Sequence, residues 1–260
     1  MMIEQLEMSE PPLVGSRNRH LPATAAFGWL AAGWRDLWQY PVGSLIYGVL
    51  VFAVSIAVVW GLLRFHLDYI LFPAISGFMV IGSLFAIGLY QKSRDLEEGK
   101  PTSFARILMV RAASGSQLWF TGVILCGLLL LWMRAAVIIY ALFFGLNPFP
   151  GVEGVVKMLA TTPEGWGLMV SGISVGGLFA AFGFAISMFA IPMLLAEETD
   201  CFTAMGTSIS LVWNNLHVML VWGAIVVALF LLSCATGFLG LIVIFPLLGH
   251  ASWHCYKAIR

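Results

Sequence analysis

The chain has 260 residues, of which 60% are hydrophobic and only 10% charged. Soluble domains carry about 25% charge, so a water-soluble globule is excluded and a polytopic membrane protein is expected. Thirteen Lys plus Arg balance thirteen Asp plus Glu, so net charge gives no sign of a nucleic-acid partner and none is expected. The four cysteines form no CxxC pair, so neither a disulfide framework nor a cysteine metal site is expected.

The opening stretch MMIEQLEMSEPPLVGSRNRH has three glutamates, two adjacent prolines and no apolar h-region. It reads as a disordered cytoplasmic tail over residues 1–21, not a secretory signal, with the first span directing insertion. Long apolar runs then recur at the length needed to cross about 30 Å of hydrocarbon. They predict six transmembrane helices at 42–63, 69–90, 118–140, 168–195, 216–234 and 237–256. With six spans both termini share one side. That side receives Arg17, Arg19, Arg35, Lys92, Arg94, Lys100, Arg106, Arg111, Lys257 and Arg260; the opposite loops hold Arg64 and Lys157. The imbalance places both termini in the cytoplasm.

Three cytoplasmic segments begin alike: LPATAAF ends at Phe27, GKPTSF at Phe104 and EETDCF at Phe202. Thr24, Thr102 or Ser103, and Thr199 or Asp200 are the candidate helix caps. Apolar residues follow at helical spacing, as in Phe27, Leu30, Trp34, Leu37 and Trp38, or Phe202, Met205, Ile209, Val212 and Leu216. The middle copy breaks the stripe at Arg111. The expectation is therefore all-α: a single membrane domain over 22–260, with three amphipathic interfacial helices, each leading into a two-helix hairpin. The threefold internal repeat has units at about 22–90, 101–195 and 200–256.

The stretches FGWLAAGWRDLWQYPVGSLIYGVLVF, LYQKSRDLEEGKPTSF and FPLLGHASWHCY resemble a family of predicted bacterial, mainly proteobacterial, integral membrane proteins of unknown function. Members are sometimes labelled cytochrome c oxidase subunit I. The resemblance runs from about residue 20 onward and implies a fold family and a location, but no activity. Six expected spans and five histidines do not match an oxidase with about a dozen spans and six intramembrane histidine ligands. A more distant similarity joins the layout to the membrane domain of some glycerophosphodiester phosphodiesterases.

Few residues invite a chemical role. His250 and His254 are four apart, so they share a helix face, and imidazole pairs bind transition metals. Two ligands are fewer than the three or four that zinc requires, and Trp253, Tyr256 and Lys257 beside them suggest anchoring at the headgroups instead. Arg134 lies within an apolar run; it faces a cavity, or it snorkels outward with 135–146 folded as a separate interfacial piece. Gly172 and Gly176, in GISVG, form a small-xxx-small pattern expected to pack helices. Pro73, Pro192 and Pro246 are candidate kinks.

The residues therefore point to a non-enzymatic accessory or scaffold protein, without cofactor, whose partners are membrane lipids or another membrane protein. A small transporter or channel for an amphiphilic solute is one alternative. A metal- or haem-linked role in respiratory-complex assembly is the other. Oligomeric state is open.

Overall fold

The computed structural model describes residues 19–145 and 149–260, all helix and connecting turns. The elements are α1 (Ala25–Trp38), α2 (Pro41–Arg64), a 3₁₀ turn (Asp68–Ile70), α3 (Leu71–Phe85), α4 (Ile87–Glu97) and α5 (Phe104–Leu108). There follow α6 (Gly115–Phe144), α7 (Gly151–Thr161), α8 (Pro163–Ser187), α9 (Ala190–Ala196), α10 (Cys201–Asn214), α11 (Leu216–Ala235) and α12 (Leu241–Ile259).

Among the described residues, five helical stretches are long and apolar enough to cross a membrane: 41–64, 68–97, 115–144, 163–196 and 216–235. Helix α12 is not among them. Its first eight residues, LIVIFPLL, are apolar, but its second half carries His250, Ser252, His254 and Lys257. Most of that half is enclosed by neighbouring helices. His250, Trp253, Cys255, Tyr256 and Ile259 are all buried, packed by α1, α2 and α4. Of the expected headgroup anchors, Trp253 and Tyr256 thus lie inside the protein, while Lys257 stays exposed. Hydropathy averages over a helix and does not register that neighbours cover its polar side.

The caps agree with their chemistry where a side chain is aimed correctly. Ser103 accepts from the Arg106 N–H and Asp200 from the Thr203 N–H, whereas Thr24 makes no such bond. The three Phe-initiated segments are unequal: α1 and α10 each have 14 residues, but α5 has five. Met109 ends α5, and the Arg111 segment is not helical, with the Ala113 and Ser114 N–H groups bonded to Leu195 and Leu194 carbonyls.

The buried face of α1 is also not the aromatic stripe. Ala26, Trp29, Ala32, Gly33 and Leu37 face inward, while Phe27, Trp34 and Trp38 stay exposed. Small size decides this: Gly33 lies directly on Ala251 and Leu247 of α12, so the helix axes approach closely only on that side.

Packing follows an order along the chain. Helix α5 lies on α4, α10 on α8 and α9, and α1 on α12. Among the long helices, α2 packs on α12 and α6 on α3, whereas α8 and α11 do not pack closely against each other. Polar bonds tie one end of the bundle together. Arg94 donates to the Leu195 carbonyl, Trp253 to Glu97, and Tyr256 and Arg260 to Glu197. At the same end Arg19 Nε reaches the Ile259 carbonyl and Leu21 packs on the core, so structure begins inside the segment read as a tail. Residues 1–18 lie outside the described residues.

Candidate functional site: a buried histidine network and an apolar cavity

The polar network starts where α1 ends. Tyr40 takes the left-handed conformation (φ 60°) and Pro41 occupies the first turn of α2, where a missing N–H costs nothing. The turn directs the carbonyls of Asp36 and Tyr40 at Lys92 Nζ, which donates to them at 2.9 and 3.2 Å and to Ser44 Oγ at 2.8 Å. Lys92 is 1% exposed. A buried ammonium is tolerated only with such partners, and helix-end carbonyls carry the partial negative charge that suits it.

From Ser44 the bonds continue to His250 Nε2 (2.9 Å), from His250 Nδ1 to Ser93 Oγ (2.8 Å), and from Ser93 to Asp36 Oδ2 (2.6 Å). His254 Nε2 meets the same carboxylate oxygen at 2.8 Å. The directions are forced. Ser93 has one proton and gives it to Asp36, so it accepts from His250 Nδ1–H. Neutral His250 then accepts the Ser44 proton at Nε2, and Ser44 offers a lone pair to Lys92. Each of these hydroxyl and imidazole protons has one acceptor, and the chain runs from a cation to an anion. Burial raises the Asp36 carboxyl, but hydrogen bonds from His254 and Ser93 outweigh that and hold it below its ordinary value.

This arrangement bears on the histidine pair directly. Both ring nitrogens of His250 and Nε2 of His254 are occupied by hydrogen bonds. Among the described residues no group of three or more His, Cys, Asp or Glu is placed to hold a metal ion. The pair ties α12 to α1, α2 and α4. Periodicity found the two histidines; Ser44, Lys92, Ser93 and Asp36 escaped it because they come from three other helices.

The second feature is a cavity of ≈ 840 Å³ between α3, α6, α7, α8 and α11. Its wall is almost wholly apolar, with Trp132, Ile139, Gly172, Gly176, Met219 and Leu220 representative of the lining. It lies at the junction that α8 and α11 leave unclosed. Rim residues Ile173 and Leu220 are 68% and 64% exposed, so the space opens onto the apolar flank of the bundle.

The two glycines expected to pack helices differ here. Gly176 lies against the Trp132 ring, but nothing lies within 4 Å of where a Gly172 side chain would start. Gly172 therefore borders open cavity, and its packing role is corrected. Trp132 is held in place by Nε1–H donation to the Pro73 carbonyl and to Ser76 Oγ, both at 3.0 Å.

Arg134 is exposed and is not part of this lining. Nor is 135–144 a separate interfacial piece: α6 continues unbroken to Phe144, and residue 146 of the expected 135–146 segment lies outside the described residues. Arg134 is the twentieth residue of α6, about 29 Å along its axis at 1.5 Å per residue. That length brings it close to the far boundary of a core about 30 Å thick.

No curated protein and no solved structure matches the chain. A family model described as a predicted integral membrane protein (DUF2189) matches residues 71–196, which span α3 to α9 and contribute most of the cavity wall. Over that stretch the chain matches a family of integral membrane proteins of unknown function.

Proposed function

We propose that the protein is a non-enzymatic accessory protein of the bacterial inner membrane that holds the acyl chain of a membrane lipid in the α8/α11 cavity. The cavity carries the reading. Its volume of ≈ 840 Å³ lies within the range of about 300–1,000 Å³ common for small-molecule sites. Its walls come from helices long enough to span the bilayer, so at that depth the surrounding solvent is itself acyl chain. Two polar groups of the wall are already engaged, the Trp132 N–H by Pro73 and Ser76 and the Ser76 hydroxyl by the Phe72 carbonyl, which favours an apolar occupant.

The same reading takes 22–260 as one membrane domain with both termini cytoplasmic, supported by the gathering of charged side chains at one end. It takes the apolar half of α12 as a sixth, partial crossing. It retains the threefold repeat on the strength of packing order: each amphipathic helix lies on the last helix of the preceding unit, counted cyclically. Two of the three junctions between units, α12/α2 and α3/α6, are closed. The third is the cavity. Transport of an amphiphilic solute draws less support, because Arg134 does not line the space it would have to serve.

The test is to fill the cavity. Gly172→Leu adds a side chain where open space exists, so folding should be unaffected. Native mass spectrometry from mild detergent should show lipid retained by the wild type and lost from the variant, at equal thermal stability. Equal lipid retention in both would refute the proposal.

A further inference from the structure

A second, smaller cavity of ≈ 100 Å³ adjoins the first and is lined from α3, α4, α8, α11 and α12. Met79, Phe184 and Val226 line both spaces, so the two share a wall. The inner space differs in chemistry. Tyr90, Ser83, Ser187 and Ser252 contribute hydroxyls to its lining, and Trp222 contributes an indole. Most of these hydroxyls are satisfied: Ser83 donates to Ser187 at 2.8 Å, and Tyr90 bonds Ser252. Trp222 is not. It is 0% exposed, and its Nε1–H has no hydrogen-bond partner among the described residues.

An unmet buried donor costs about 1–3 kcal/mol, so indole N–H groups in cores almost always find an acceptor. The ring is fixed by an edge-to-face contact with Trp29, centroids 5.9 Å apart. The volume leaves room for more than a single water. One water needs roughly 10–15 Å³ of such space, well below what is present. A hydrogen-bond acceptor joined to an apolar chain fits both observations: an inner space with a donor, and an apolar space sharing its wall.

We infer that the inner cavity receives the polar end of the ligand, a carbonyl oxygen that accepts from Trp222 Nε1–H while the attached hydrocarbon chain lies in the outer cavity. This rests on the cavity reading above and narrows it to an ester or ketone at the end of a long apolar chain. Met79, unbranched and adaptable, is the wall residue whose rotation joins the two spaces.

The experiment compares a long-chain methyl ester with the alkane of equal length, added to the detergent-solubilised full chain. The ester should shift the Trp222 Nε1–H resonance and show a carbonyl stretch lowered by hydrogen bonding; the alkane should bind without that shift. Trp222→Phe should weaken ester binding about 3- to 10-fold, the worth of one hydrogen bond, and leave alkane binding unchanged. Failure of both probes to bind overturns the cavity reading itself. Binding of both with an unmoved Trp222 resonance overturns only the carbonyl assignment, as it would if a resident water or the Trp29 ring already used the N–H.

Discussion

The two sides of the bundle solve the same problem differently. Around α12, helices α1, α2 and α4 close on one another through small residues and a continuous hydrogen-bonded chain. Gly33 meets Ala251, Gly48 meets the Ile242 backbone, and Lys92 is linked through Ser44, His250 and Ser93 to Asp36. Across the molecule, α8 and α11 are at least as rich in apolar residues, yet they leave ≈ 840 Å³ between them. Hydrophobicity therefore does not determine closure here, since lipid competes for apolar surface on equal terms. Close backbone approach and buried polar bonds do, and they are concentrated on the α12 side.

If that contrast is right, substitutions should sort by side. The largest effect is expected for Lys92→Ala, which strands the Asp36 and Tyr40 carbonyls and removes the cation facing Asp36. A loss of about 3 kcal/mol or more is expected, read as a collapse of thermal stability in detergent. Next comes Gly48→Ala, whose added methyl meets the Ile242 backbone. It should cost about 1–3 kcal/mol by overpacking, and a neutral result would mean that α2 and α12 are not pressed together.

Acid should act on the same side. The Asp36 carboxyl is lowered from 3.8 in the folded chain. Its stabilisation is therefore complete above that value and lost as pH falls through the lower folded value. The wild type should lose more stability than Asp36→Asn between neutral pH and pH ~3, as measured by thermal unfolding; parallel curves would remove Asp36 from the network. The smallest effect belongs to the open side. Gly172→Ala enters space with no neighbour within 4 Å and should stay within about 0.5 kcal/mol of wild type.

Much of the architecture was legible in composition, because crossing a bilayer demands long apolar helices whatever their partners. The five spans, the Ser103 and Asp200 caps and the hydrogen-bonded polar end follow from length, cap chemistry and charge. The site was not legible in the same way. His250 and Lys92 stand 158 positions apart in the chain, and only folding brings them to the same serine. Gly172 and Gly176 look alike in sequence, but one touches Trp132 and the other open space. Periodicity describes one helix at a time. It found the exposed aromatic stripe of α1 but not the small-residue face that packs on α12, and it missed that the polar half of α12 is covered by three other helices.

Photo-crosslinking with a diazirine-bearing phospholipid in nanodiscs tests the central claim most directly. The cavity account predicts adducts concentrated on α8 and α11, around Ile173, Leu220 and Gly223, and suppressed by Gly172→Leu. Labelling spread evenly over the lipid-facing residues of α2, α6, α8 and α11, and unchanged by that substitution, would contradict it.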